Sequence, residues 1–121
     1  MASDPRYFLG NARVPFHDIA TSADASGNGI QVTAAVAGAT LYAMGFVYHN
    51  AAVGALTITL SHTAGAGGVT AIGAPIVVGA GATVVVNYTI PLSASAVALN
   101  LGVVASGAGQ IEVELWGYQS A

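Results

Sequence analysis

The chain has no cysteine and no lysine, and its fixed cations are two arginines, Arg6 and Arg13. Without cysteine there is no disulfide framework, no thiolate nucleophile and no cysteine-ligated zinc site. Two arginines near one end cannot form the cationic cluster that phosphate neutralisation needs, which excludes a nucleic-acid-binding face. Charge of either sign is scarce: 6% of residues are charged and the formal net charge is -3, against roughly a quarter charged in an ordinary globular domain. So little charge points to a surface covered in large part by partners. The opening MASDPRYFLGNAR has Asp4 and Pro5 where a secretory leader would carry cations ahead of an apolar run, so it does not read as one.

What is present in their place is apolar. Hydrophobic residues make up 55% of 121 residues, which excludes disorder and fits a single domain. A mean hydropathy of +0.70 raises the question of a membrane span. The two most apolar stretches, 29–48 and 65–86, are broken by Gly, Thr and Pro75 and lack flanking Lys or Arg. They read as buried strands rather than spanning helices.

The apolar period supports that reading, because from residue 54 onward it is two rather than 3.6. Leu56, Ile58 and Leu60 alternate with Thr57, Thr59 and Ser61. Val84, Val86, Tyr88 and Ile90 alternate with Val85, Asn87 and Thr89. Val97, Leu99, Leu101 and Val103 form a third set, and Ile111, Val113 and Leu115 a fourth, with Glu112, Glu114 and Trp116 facing outward. Gly-rich and Pro-containing turns separate the sets, at 64–68, 79–81, 91–93 and 106–109. Upstream, 29–36 and 40–49 read as two more strands, with a polar loop over 22–28. The fold expected is all-β: an antiparallel sandwich of about seven or eight strands, jelly-roll or Greek-key like. In the stretch 40–48, Leu41, Ala43, Gly45 and Val47 would lie on one face, and Tyr42, Met44, Phe46 and Tyr48 on the other. Both faces are apolar, so this strand is either central and covered twice or buried in a subunit contact.

Residues 1–20 show no alternation. They hold both arginines, two of the four prolines and two of the three phenylalanines, and read as an irregular N-terminal arm ahead of a sandwich domain over 21–121. One reading folds the arm over its own sandwich. The other sends it to a neighbouring molecule, with Tyr7, Phe8 and Phe16 as anchors and Arg6 and Arg13 paired to acids. If the arm reaches a neighbour, deleting 1–20 should leave a folded core but weaken binding to that neighbour.

Catalytic patterns are absent. His17, His49 and His62 form no HxH or HExxH spacing, so no metal site is expected. Glu112 and Glu114 share a strand face about 7 Å apart by strand geometry, but neighbours on one flat strand do not flank a glycosidic bond. There is no GxSxG elbow, no P-loop and no dinucleotide fingerprint. The expectation is a non-enzyme without cofactors. Trp116 and Tyr118 share the outward face of the last strand, where they could stack on a sugar or anchor a subunit. The subunit contact is favoured, because amphipathic aromatics are the residues enriched at interface hot spots.

The runs GALTITLSHTAGAGG and VGAGATVVVNYTIPLSASAVALNLGVVASGAGQIEVELWGY, within 54–118, resemble small structural proteins of tailed bacteriophages. The resemblance is one of shared style over about the last half of the chain. It implies a virion component at the capsid surface, made in the host cytoplasm: a capsid decoration (cement) protein bound to the major capsid protein or other virion subunits. The same style implies a homo-oligomer, a trimer, and carries over no catalytic residues. A tail or fibre module that binds carbohydrate is the alternative, with Trp116, Tyr118, Glu112 and Glu114 as its shelf. No membrane partner is expected.

Overall fold

The computed structural model describes residues 13–27, 29–63, 69–94 and 98–120. Arg6, Tyr7 and Phe8 lie outside the described residues. Among the described residues nine strands follow one another: β1 (Val14–Ser22), β2 (Ile30–Thr33), β3 (Thr40–Asn50), β4 (Leu56–Thr63), β5 (Val69–Ala71), β6 (Ile76–Val78), β7 (Thr83–Ser93), β8 (Leu101–Ala105) and β9 (Ile111–Ser120). The described residues contain no helix, so none is long and apolar enough to cross a membrane.

The strands form two antiparallel sheets, one in the order β1-β9-β3-β7 and one in the order β2-β8-β4-β5, with β6 also paired to β4. Strands β5 and β6 share one edge of β4: Thr63 pairs with Val69, and Ile58 with Ile76. Taken as one interrupted strand, they leave eight strands in jelly-roll order, in which the first and last strands adjoin and each sheet interleaves the two halves of the chain.

Alternation makes the sandwich. Ile111, Val113 and Leu115 on β9 and Leu41, Phe46 and Tyr48 on β3 turn inward, as do Ile58 and Leu60 on β4 and Leu101 and Val103 on β8. Each is essentially inaccessible to solvent, and each such burial contributes about 1.5–3 kcal/mol. At the end of β3, Asn50 is fully buried but fully paired. Its Nδ2 donates to the carbonyls of Gly54 and Val78, each at 2.9 Å, and its Oδ1 accepts from the Ala52 amide at 2.9 Å. The side chain thus ties β3 to the following loop and to β6.

Three expectations are corrected. First, residues 14–20 are not an irregular arm but most of β1, paired with β9 from Val14↔Gln119 to Ser22↔Ile111. The alternation is present there but polar, with Phe16, Asp18 and Ala20 half-buried and His17, Ile19 and Thr21 exposed, so an apolar count passes over it.

Second, the two faces of β3 are not those of an unbroken strand. Ala43 pairs with Gly117 and Gly45 with Trp116, so Met44 is an extra residue that switches the phase. Leu41 and Ala43 face the core before the bulge, and Phe46, Tyr48 and Asn50 after it. Phe46 and Tyr48, expected as contact residues, are therefore core. Their rings stack with centroids 4.0 Å apart, and Tyr88 meets Phe46 edge-on at 5.7 Å. Phe16, expected as an anchor on a neighbour, packs half-buried against the chain's own core.

Third, the inward set Val84, Val86, Tyr88 does not extend to Ile90, which is 78% exposed. Between Asn87, opposite Gly45, and Leu92, opposite Ala43, β7 leaves its partner. Pro91, which has no amide to donate, sits in that excursion.

Candidate functional site

Among the described residues no strand or loop packs over the outer face of the four-stranded sheet, and this face brings together most of the unusual side chains. Register places them in rows across β1, β9, β3 and β7. Pro15, Tyr118, Tyr42 and Ser93 form one row. His17, Trp116, Gly45 and Asn87 form the next. Ile19, Glu114, Val47 and Val85 form the third, and Thr21, Glu112, His49 and Thr83 the fourth.

At one end the face is aromatic. Tyr42 and Tyr118 stack with centroids 5.0 Å apart and planes 17° from parallel, and the Arg13 guanidinium lies 5.0 Å from the centre of the Tyr118 ring. Since β9 lies between β1 and β3, Tyr118 stands between Arg13 and Tyr42, and the two tyrosine rings meet face to face. A cation held this way contributes about 0.5–1 kcal/mol at an exposed site. Trp116 lies over Gly45, where a β-carbon would collide with the indole and stand 2.7 Å from the Val86 carbonyl. Met44, pushed out by the bulge, is 41% exposed.

At the other end the face is aliphatic and acidic. Ile19 is 69% and Val85 60% exposed, with Val47 in the same row. Around them is an open depression whose lining includes Ile19, Val47, His49, Glu112 and Glu114. Glu114 is engaged by His17, whose Nε2 lies 2.5 Å from its Oε2. His49 Nδ1 is 2.8 Å from Thr83 Oγ1. Among the described residues no group of three or more His, Asp or Glu could hold a metal ion.

Of the residues expected from the sequence, the structure thus brings together Arg13, Tyr42, Trp116 and Tyr118, places Met44 beside them, and turns Phe16, Phe46 and Tyr48 inward. Sequence reasoning missed Ile19, Val47 and Val85 as an exposed aliphatic row and His17 and His49 as members of the face. The signal for His17 and Ile19 was their period-two placement with Pro15 and Thr21. Neither a protein-family model nor a curated protein matches the chain.

Proposed function

We propose that the protein is a structural component of a phage virion, a capsid decoration protein whose apolar sheet face is a subunit contact on the head. The observation that carries this reading is the outer face of the four-stranded sheet. Aromatic and aliphatic side chains occupy much of it, with few charges among them, and no described strand or loop packs over it. Repeated by symmetry, such a face adds many weak contacts at little cost in side-chain ordering. The rigid two-sheet body supports the same role, and the bacteriophage resemblance of 54–118 supplies the particle.

The test is co-sedimentation with purified heads that lack the protein. Wild type should pellet with heads in a fixed ratio, and Trp116→Ala should weaken binding by tenfold or more. A chain that never pellets with heads overturns the reading.

A second reading, a carbohydrate-binding module of a tail or fibre, draws on Trp116, whose indole lies along the sheet over Gly45 as a sugar platform would. The tyrosines fit it less well, because Tyr42 and Tyr118 turn ring faces toward each other. Glycan-array binding abolished by Trp116→Ala would favour this reading over decoration.

A further inference from the structure

We infer that the outer face of the four-stranded sheet docks on the same face of a second copy of the chain, about a two-fold axis that runs across the strands near Trp116. The inference rests on the reading of this face as a subunit contact and names its occupant.

The argument begins with unpaired charge. Arg13 lies at one end of the face against Tyr118, and Glu112 lies in the row at the other end, opposite Thr21 and His49. Among the described residues neither Arg13 nor Glu112 has an ion-pair partner; the one described pair on the face is His17 with Glu114. From Tyr118 to Glu112 is six residues along β9, roughly 20 Å at strand rise. That is more than twice the screening length of about 8 Å at physiological salt. The two charges therefore do almost nothing for each other within one chain.

Symmetry decides what they can do between chains. A two-fold axis in the plane of contact and perpendicular to the strands reverses the strand direction. It lays the Arg13 end of each copy over the Glu112 end of the other, twice, and puts Trp116 opposite Trp116 at the centre. An axis along the strands would instead gather four carboxylates at one end and both Arg13 side chains at the other. Only the first arrangement is self-complementary, as an isologous contact requires.

The size of the face agrees. Four strands about 4.8 Å apart and a strand of nine residues give a face of about 19 Å by 30 Å. This is roughly 570 Å² in projection, and side-chain relief brings it toward the ~800 Å² per partner of a standard specific interface. Its two inner strands carry Trp116 and Val47, with Arg13 and Glu112 toward the two ends and the His17–Glu114 pair beside them.

The experiment is light scattering of the full chain with no particle present, on wild type, Arg13→Glu, Glu112→Arg and the double variant, with circular dichroism to verify strand content. Wild type should have twice the 11.9 kDa chain mass. Each single charge reversal should weaken the dimer by roughly tenfold or more, and the double variant should return to within about threefold of wild type. A single-chain mass up to about millimolar concentration, a three-chain mass, or a double variant as weak as the singles would overturn the inference. Head co-sedimentation keeps the two readings apart: a dimer that ignores heads defeats decoration alone, and a monomer that pellets with heads defeats the two-fold contact alone.

Discussion

The indole of Trp116 occupies the space that a β-carbon on Gly45 would need, so the bulge in β3 and the aromatic end of the outer face depend on one another. Gly45→Ala must push the indole aside or spread β3 from β7, since the Val86 carbonyl closes the other side at 2.7 Å. The expected cost is about 1–3 kcal/mol, the range for forcing one extra carbon into a filled site. Trp116 is the chain's single tryptophan, so its fluorescence reports the displacement directly. An unshifted emission spectrum with unchanged stability would show that the contact is not tight.

Asn50 should be among the most sensitive polar positions. Replacement by Ala leaves the carbonyls of Gly54 and Val78 and the amide of Ala52 without the partner they now have. At least one of these bonds is fully buried. A loss of roughly 3 kcal/mol is expected in urea unfolding, from buried groups left unsatisfied. Asn50→Ala within about 0.5 kcal/mol of wild type would mean that the loop rearranges freely around the gap.

How much of this was legible beforehand depends on the strand. In β9 the sequence alternates Ile111, Val113, Leu115 against Glu112, Glu114, Trp116 without interruption, and the structure follows it residue for residue. In β3 the same logic went wrong after Ala43, because one inserted residue, Met44, exchanges the two faces. A bulge leaves no mark in a run where both faces are apolar. Strand β1 was hidden for the opposite reason. As an edge strand it needs only a weak inward face, and Phe16, Asp18 and Ala20 supply one that no apolar period reveals. The aromatic part of the outer face was readable from Trp116 and Tyr118. Its aliphatic row was not, since Ile19, Val47 and Val85 meet only through the β1-β9-β3-β7 order, which a sequence does not display.

The two inward tyrosines predict a loss of stability in alkali. Burial raises the phenol of Tyr48 well above its usual range, with the neighbouring Tyr88 adding to the effect, and burial raises Tyr88 as well. Above about pH 10 the unfolded chain ionises these groups while the folded chain keeps their protons. Stability is therefore complete below that pH and falls as pH rises, by up to about 1.4 kcal/mol per unit for Tyr48, with a smaller contribution from the partly exposed Tyr88. The hydroxyl of Tyr48 is also buried without a hydrogen-bond partner. Tyr48→Phe should accordingly gain about 1 kcal/mol at pH 7 and flatten the alkaline slope by one proton. Denaturant titrations at pH 7 and in steps from 9 to 11 measure both, and an unchanged slope in the variant would refute the assignment.

Truncation at the N-terminus should not be neutral once it reaches β1. A chain that begins at residue 23 loses all nine residues of β1 and strips the backbone partners of β9 from Ile111 to Gln119. It also loses the Phe16 ring, which packs on the core beside Gly117, where even a β-carbon would collide with the carbonyl of Tyr42. What remains is a long, newly exposed strand edge bearing Trp116 and Tyr118, the kind of edge that pairs with other chains. The truncated chain should lose the cooperative thermal transition of the full chain and run as aggregate on size exclusion. A monodisperse, cooperatively melting product would mean that the other eight strands are sufficient and that β1 is an accessory to the sandwich, as the irregular-arm reading of residues 1–20 had it.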